Sequence, residues 1–429
     1  MKMRIPNTNK KDKGIFITDS FCILPWIHMA TYTSGHALLC CVAKASPQNL
    51  NKKNVSEIWN SEEWRNARKD LLDGKKIPQC DYCWKEEAAG IRSHRFNQNY
   101  IWYKELGEEY IRDLIDKTDP DGSLSEELIT FDFRLGNTCN LQCVMCRPRD
   151  SSRWLNDARK LARTLQTDAK YDWESKIQMN HDNFEWYKKD RIWKDFSPLF
   201  PNIRELVFGG GEPLLIKEHY TLIRDLVDGG FAKNISIRYH TNGTMLTDEI
   251  LEYWKEFKAV DLMISVDMWG KKNEYVRYRS HWSDIIDNLW ILDDTPDNIN
   301  PRLSACVHAL NIYDIPDMAE SCLNAGFKKV GQIYGKLFHV QTVQFPEYLS
   351  TQVLPQKVKD KVVEKWNSYE HLMEHHQWSG NMQNQLKFML KEDRSNLFHQ
   401  LIEYKNSLDK LHNTNYGDYF PEFEALLNE

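Results

Sequence analysis

Three cysteines constrain this chain more than any other feature. Cys139, Cys143 and Cys146 stand in the run Leu135-Gly-Asn-Thr-Cys-Asn-Leu-Gln-Cys-Val-Met-Cys, directly after the strand-like segment Leu128-Ile-Thr-Phe-Asp-Phe-Arg134. Three thiolates spaced C-x3-C-x2-C on one short loop can hold three irons of a cubane cluster and leave the fourth iron without a protein ligand. An open iron can bind a substrate. A structural zinc site needs four ligands around a tetrahedron, so three close cysteines with no evident fourth beside them fit zinc less well.

Composition narrows the class. At 429 residues the chain is long enough for one large domain and a smaller one. It has no stretch of eighteen apolar residues, and its start, Met1-Lys-Met-Arg-Ile-Pro-Asn, lacks the apolar core of a signal peptide, so a cytoplasmic protein without a membrane span is expected. A net charge of -6 argues against broad nucleic-acid binding. Ten cysteines in such a chain point to metal or cluster ligation sooner than to disulfides.

From about residue 129 to 345, strand-like runs alternate with amphipathic segments. The expected strands are Ile129–Arg134, Glu205–Phe208, Ile235–His240, Leu262–Val266, Arg302–Val307 and Lys329–Ile333, with helices such as Ile216–Asp228 and Asp248–Phe257 between them. This βαβ alternation calls for a parallel sheet with right-handed crossovers, and six units make a partial (β/α)6 TIM-like barrel. In such barrels the chemistry sits at the C-terminal ends of the strands, where the unusual residues of this chain fall.

After the second expected strand comes Phe208-Gly-Gly-Gly-Glu212-Pro213-Leu214, a loop whose glycines permit close approach to a ligand while Glu212 offers a carboxylate to an ammonium group. The third strand ends in His240-Thr-Asn-Gly-Thr244, and the fourth in Ile264-Ser-Val-Asp-Met268 followed by Tyr275-Val-Arg277. Together with the cysteine triplet, these motifs resemble the radical S-adenosylmethionine (SAM) superfamily. The resemblance implies a [4Fe-4S] cluster on Cys139, Cys143 and Cys146. It also implies that Gly210, Gly211, Glu212 and Pro213 hold the methionine amino group of SAM, and that Asn242, Ser265, Asp267 and Arg277 contact its ribose and carboxylate. Met145 stands where the superfamily commonly has an aromatic residue, and its thioether can pack against the adenine ring. Asn311, after the fifth strand, is a further candidate near the adenosine.

A second cysteine set lies upstream. Cys22 and Cys40 form C-x12-G-x4-C with Gly35 between them, and Cys80-Asp-Tyr-Cys83 completes a group of four. This set, with the helical stretch Val55–Arg65 and the tail Glu86–Arg95, resembles the twitch domain, the single-cluster half of the SPASM domain, here placed before the barrel. The resemblance implies a closed, auxiliary [4Fe-4S] cluster. Zinc is the alternative for these four thiols, and Cys41 could replace Cys40. Cys306 and Cys322 read as core residues.

The expected organisation is a twitch/SPASM-like α+β domain over residues 1–100, a linker over 101–128, the barrel over 129–345 and a helical C-terminal extension over 346–429. Arg147, Arg149, Arg153, Arg159, Lys160 and Arg163 suggest a basic rim after the triplet, and His371 and His375, one helical turn apart, read as a surface pair. The resemblance implies an enzyme that cleaves SAM reductively to methionine and a 5'-deoxyadenosyl radical, which abstracts hydrogen from a peptide or protein. Its electron would come from a flavodoxin- or ferredoxin-type donor. A small alcohol, sugar or nucleotide-linked substrate is the alternative. A catalytically idle metal-binding interaction protein and a SAM-dependent methyltransferase are the readings from other classes.

Overall fold

A computed structural model describes residues 17–44, 46–125, 128–170, 173, 181–330, 339–369, 372 and 380–429. His371 and His375 lie outside these. The chain divides into two compact units. The first is Met1–Gly136 with His181–Gly209 and Thr221–Ile237; the second is Asn137–Asn180 with Gly210–Tyr220 and Arg238–Glu429.

In the first unit, β1 (His28–Thr31) forms a short antiparallel hairpin with β2 (Ala37–Leu38). Gly35 in the connecting turn has φ +78°, a conformation open to glycine and costly for other residues. β1 also pairs in parallel with β3 (Thr130–Arg134), His28 opposite Thr130, and β3 pairs in parallel with β5 (Glu205–Gly209), Thr130 opposite Glu205. A strand from the cysteine-rich N-terminal segment thus lies beside the first strand expected of the barrel. Alternation sets the two faces of β3. Phe131 and Phe133 pack with Phe196, and Phe133 stacks on Phe208 at 5.7 Å between centroids. Helices His94–Leu106 and Glu108–Asp116 occupy much of the span read as a linker.

In the second unit, β7 (Ala259–Ser265), β9 (Ile299–Val307) and β10 (His339–Thr342) are parallel neighbours, with Val260 opposite Ile299 and Ser304 opposite His339. β4 (Gln142–Cys143) and β8 (Arg277–Tyr278) form a separate antiparallel pair. Along the chain, β6 (Ser236–Thr241) falls between helices Lys217–Asp228 and Asp248–Lys255, and helices Trp282–Asp293 and Ile315–Asn324 precede and follow β9. The expected alternation of parallel strands and helices is therefore present, making this an α/β chain.

Of the expected strand Lys329–Ile333, the described residues Lys329 and Val330 lie outside any strand. The N–H groups of Lys328, Lys329 and Val330 all donate to the Asp293 carboxylate, at 2.9, 2.7 and 2.8 Å. A side chain that collects three consecutive donors removes those a sheet ladder would use. Residues 331–333 lie outside the described part, and β10 (His339–Thr342) is the next described strand.

After β10 the chain is helical, including Gln356–Ser368, Gly380–Lys391, Phe398–His412 and Pro421–Leu427. Val358, Val362 and Trp366 are buried along one face of the first of these helices. Buried aromatic residues anchor this region by their polar ends: Trp366 Nε1 donates to Ile312 O at 2.9 Å and Tyr416 OH to Leu310 O at 2.6 Å. No described helix is long and apolar enough to cross a membrane.

Candidate active site and auxiliary thiol site

The cysteine loop is folded on itself before any ligand is considered. Asn137 Nδ2 donates to Pro148 O at 2.8 Å, Ser152 N to Asn137 O at 2.6 Å, and Ser151 Oγ to Leu141 O at 2.6 Å. Two aromatic residues hold its middle: Trp154 Nε1 donates to Cys143 O at 3.2 Å and Tyr404 OH to Val144 O at 2.8 Å. Sequence reading misses Tyr404, because nothing local ties residue 404 to residue 144. Arg147 departs from the basic rim proposed for it. It is buried, its guanidinium lies 4.6 Å from the Trp173 ring centroid, and it donates to Cys146 O and Tyr348 OH. An aromatic cage explains the burial of this cation. Arg149, Arg153, Arg159, Lys160 and Arg163 are exposed.

None of the three thiols is in a disulfide. A hydrogen bond between them holds Cys143 below the ordinary thiol value and Cys146 well above it. Burial pushes Cys139 up to about 12. Proton sharing and burial together describe thiols gathered in a low-dielectric place, where thiolates need a cationic partner.

The glycine loop packs directly against this one. A Cβ on Gly211 would meet the Thr138 carbonyl oxygen at 2.1 Å, and Glu212 N donates to that same oxygen at 2.7 Å. Gly210 has φ +112°. The Glu212 carboxylate is 1% exposed and accepts from Leu214 N at 3.1 Å, Thr241 Oγ1 at 2.8 Å and Asn242 N at 2.7 Å. Burial raises it to about 7, against the lowering effect of those donors. Pro213, also buried, starts a single 3-10 turn. Asn242 Nδ2 donates to Asn140 Oδ1 at 2.8 Å and lies 4.0 Å from Cys139 Sγ. Cys139, Gly211, Glu212 and Asn242 are thus neighbours.

Asp267 and Arg277 form a buried ion pair, Nε to Oδ2 at 2.9 Å and Nη2 to Oδ1 at 3.0 Å, with 0% and 8% of their side chains exposed. Arg277 Nη1 reaches Cys143 Sγ at 3.6 Å. Burial alone would lower the guanidinium, but Asp267 and Cys143 outweigh it and hold Arg277 above its ordinary value. Ser265 ends β7 two residues before Asp267, opposite Ser304, and is half-buried, as is Met145 inside the cysteine loop. Asn311 is buried and engaged in the scaffold, donating to Cys306 O at 2.9 Å and accepting from His308 N at 2.8 Å. Cys322 is buried, whereas Cys306 is half-buried and gives its N–H to Asp267 at 2.7 Å.

The N-terminal cysteines belong to the first unit. Cys22, Cys40 and Cys83 are buried, Cys80 is half-buried, and none is in a disulfide. Burial raises all four, and three of them feel other thiols of the set: Cys22 feels Cys80 and Cys83, Cys40 feels Cys22 and Cys83, and Cys80 feels Cys40 and Cys83. Arg95 is the cation in this group. It pairs with Glu87 at 2.6 Å inside the fold and lowers Cys22, Cys80 and Cys83. Cys41 is exposed, with its sulfur 3.8 Å from His94 Nε2.

Both thiol sets offer the sulfur donors that iron–sulfur clusters take. Among the described residues no three Cys, His, Asp or Glu side chains are grouped so as to share a single metal ion. In a cluster each thiolate binds its own iron, a different requirement from four thiolates closing on one zinc.

The family model of the radical SAM superfamily matches residues 133–293, and that of the SPASM iron-sulfur cluster-binding domain matches residues 22–84. Over 132 residues the chain is 32% identical to the tungsten-containing aldehyde ferredoxin oxidoreductase cofactor-modifying protein of Pyrococcus furiosus, a match covering 30% of this chain and 28% of that relative. The chain thus spans little more than a quarter of the curated relative's length. Among solved structures, anSMEcpe with bound AdoMet is 14% identical over 57% of this chain and 61% of its own, with a TM-score of 0.35. SuiB of Streptococcus suis is 13% identical over 84% and 70%, with a TM-score of 0.35. The two family matches, one on each cysteine set, identify a radical SAM domain over residues 133–293 and, before it, an iron–sulfur cluster-binding domain of the SPASM type over residues 22–84.

Proposed function

We propose that the chain is a radical SAM enzyme acting on a peptide or protein. The observation that carries the SAM reading is the grouping of Cys139, Cys143 and Cys146 with Glu212 and Asn242 in one compact unit. When bound, the cluster and SAM supply one-electron cleavage of a carbon–sulfur bond to methionine and a 5'-deoxyadenosyl radical, which takes a hydrogen atom from the substrate.

The residues have separate tasks in this reading. Cys139, Cys143 and Cys146 hold three irons and leave one open. Glu212, whose acid is poised near 7, gives up its proton on meeting the ammonium of SAM and gains a charge-assisted hydrogen bond. Asn242 carries that carboxylate on its backbone N–H and leaves its side chain beside Cys139. Gly210 and Gly211 let the loop approach closely, Pro213 stiffens its exit, and Met145 packs against the adenine. Ser265, Asp267 and Arg277 supply polar contacts to the ribose and carboxylate. Cys22, Cys40, Cys80 and Cys83 hold the auxiliary cluster on the substrate side of the reaction. The electron donor in this reading is of the flavodoxin or ferredoxin type.

The peptide reading is supported by the pairing of a radical SAM domain with a SPASM-type domain. A small or nucleotide-linked substrate is the second reading, favoured by the relative whose name describes it as cofactor-modifying. The test is anaerobic incubation with SAM and dithionite. Slow release of 5'-deoxyadenosine and methionine without substrate is expected, and Cys22→Ala should retain it. S-adenosylhomocysteine without 5'-deoxyadenosine would point to methyl transfer, and no turnover in cluster-replete protein to an idle binding protein.

A further inference from the structure

Cys143 and Arg277 are placed opposite each other by backbone register. The pairing of β4 with β8 sets Cys143 against Arg277, and Val144 N donates to Val276 O at 2.8 Å. The guanidinium is then divided between two partners. Nη1 donates to the Cys143 sulfur at 3.6 Å, while Nε and Nη2 grip Asp267 at 2.9 and 3.0 Å. Asp267 cannot follow a swinging arginine, because its Oδ1 also accepts Cys306 N at 2.7 Å and its own N–H donates to Asn273 Oδ1 at 3.0 Å.

This is an unusual place for an ion pair. A guanidinium carries five N–H donors, so one turned to the Cys143 sulfur and others turned to Asp267 still leave donors for a ligand. An electron added to an iron–sulfur cluster increases the negative charge on its ligand sulfurs. A cation donating a hydrogen bond to one of those sulfurs therefore favours the reduced form, and a carboxylate behind that cation opposes it. Burial keeps both effects from being screened by salt.

We infer that the Asp267–Arg277 pair sets the reduction potential of the cluster at Cys139, Cys143 and Cys146, Arg277 acting through the Cys143 sulfur and Asp267 as its positioning residue and counter-charge. The inference rests on the proposed cluster at that triplet. The two partners then have opposite signs: Arg277 makes the cluster easier to reduce and Asp267 makes it harder.

The test is a redox titration of the anaerobically reconstituted full chain with dithionite, followed by electron paramagnetic resonance. The relevant signal is the one missing from the variant with Cys139, Cys143 and Cys146 all changed to Ala. Arg277→Gln should move the midpoint to more negative potential, Asp267→Asn to less negative potential, and Arg277→Lys should fall between Arg277→Gln and the unmodified protein. Iron and sulfide are assayed first. If Arg277→Gln does not hold four irons at the triplet, the other two variants decide by the same signs. Shifts in one direction for both partners, or none, overturn the inference while the cluster reading stands. An unmodified protein without a four-iron signal at the triplet overturns both.

Discussion

The backbone N–H of Asn242 donates to the Glu212 carboxylate at 2.7 Å, joining the end of β6 to the glycine loop inside the fold. Glu212 is therefore a strut as well as the proposed ligand to the SAM ammonium. Glu212→Ala leaves the Asn242 N–H and the Thr241 hydroxyl buried without their acceptor. At roughly 1–3 kcal/mol for each unmatched donor, stability should fall by about 2–6 kcal/mol, and less for Glu212→Gln, which keeps an oxygen. SAM affinity should fall about ten- to hundredfold, the loss of one charge-assisted bond of roughly 1.5–3 kcal/mol. Urea unfolding and equilibrium dialysis measure the two effects, and a Glu212→Ala protein as stable as its parent would contradict the strut.

Two separate thiol sets lead to a metal count. Reconstituted protein should carry about eight iron and eight sulfide per chain, and replacing Cys139, Cys143 and Cys146 together by Ala should remove about half of each. About four iron with stoichiometric zinc would assign zinc to Cys22, Cys40, Cys80 and Cys83. Loss of both clusters on changing one set would show that the sites depend on each other.

Gly211 is a steric requirement. Its missing Cβ would sit 2.1 Å from the Thr138 carbonyl oxygen, and backbone cannot yield as a flexible side chain can. Gly211→Ala should displace the segment that leads into Cys139 and lower iron retention at the triplet, leaving the N-terminal set filled. Iron analysis of Gly211→Ala alongside Gly417→Ala, where the added methyl group meets only ordinary contacts, the nearest with the Glu424 side chain at 3.4 Å, separates this clash from a general effect of alanine. Equal retention in both would refute it.

Buried histidines fix the direction of pH dependence. His28, His219 and His308 are each lowered to about 3, chiefly by burial, and His219 shares a 2.7 Å hydrogen bond with Tyr239. In the unfolded chain they titrate near 6.5. Between these values the unfolded state binds more protons, so stability is full above about 6.5 and falls as pH drops towards 3, by about 1.4 kcal/mol per unit for each. Urea midpoints measured from pH 7.5 to 5 should fall, and His219→Gln should reduce the slope by about a third of this contribution. A midpoint constant over that range would contradict it.

The cysteine spacings, the glycine loop and most of the strand–helix alternation are written locally. Each depends on residues a few positions apart, which is why the motifs and the two cysteine sets can be read from the chain alone. The conflict at Lys329–Val330 is different, since a β-like run loses its donors to Asp293, 35 to 37 residues away. The surroundings of the cysteines were likewise decided only by tertiary structure. The bond between Arg277 and Cys143 crosses 134 residues, and that from Tyr404 to Val144 crosses 260. Arg147 reads as a charge on an open helix entrance, yet it is enclosed by Trp173 and Tyr348, the latter 201 residues away. Sequence determines which groups can bind iron because that chemistry belongs to the side chains themselves. Which charges stand beside the sulfurs depends on pairings between distant segments, and those exist only once the strands and helices have packed.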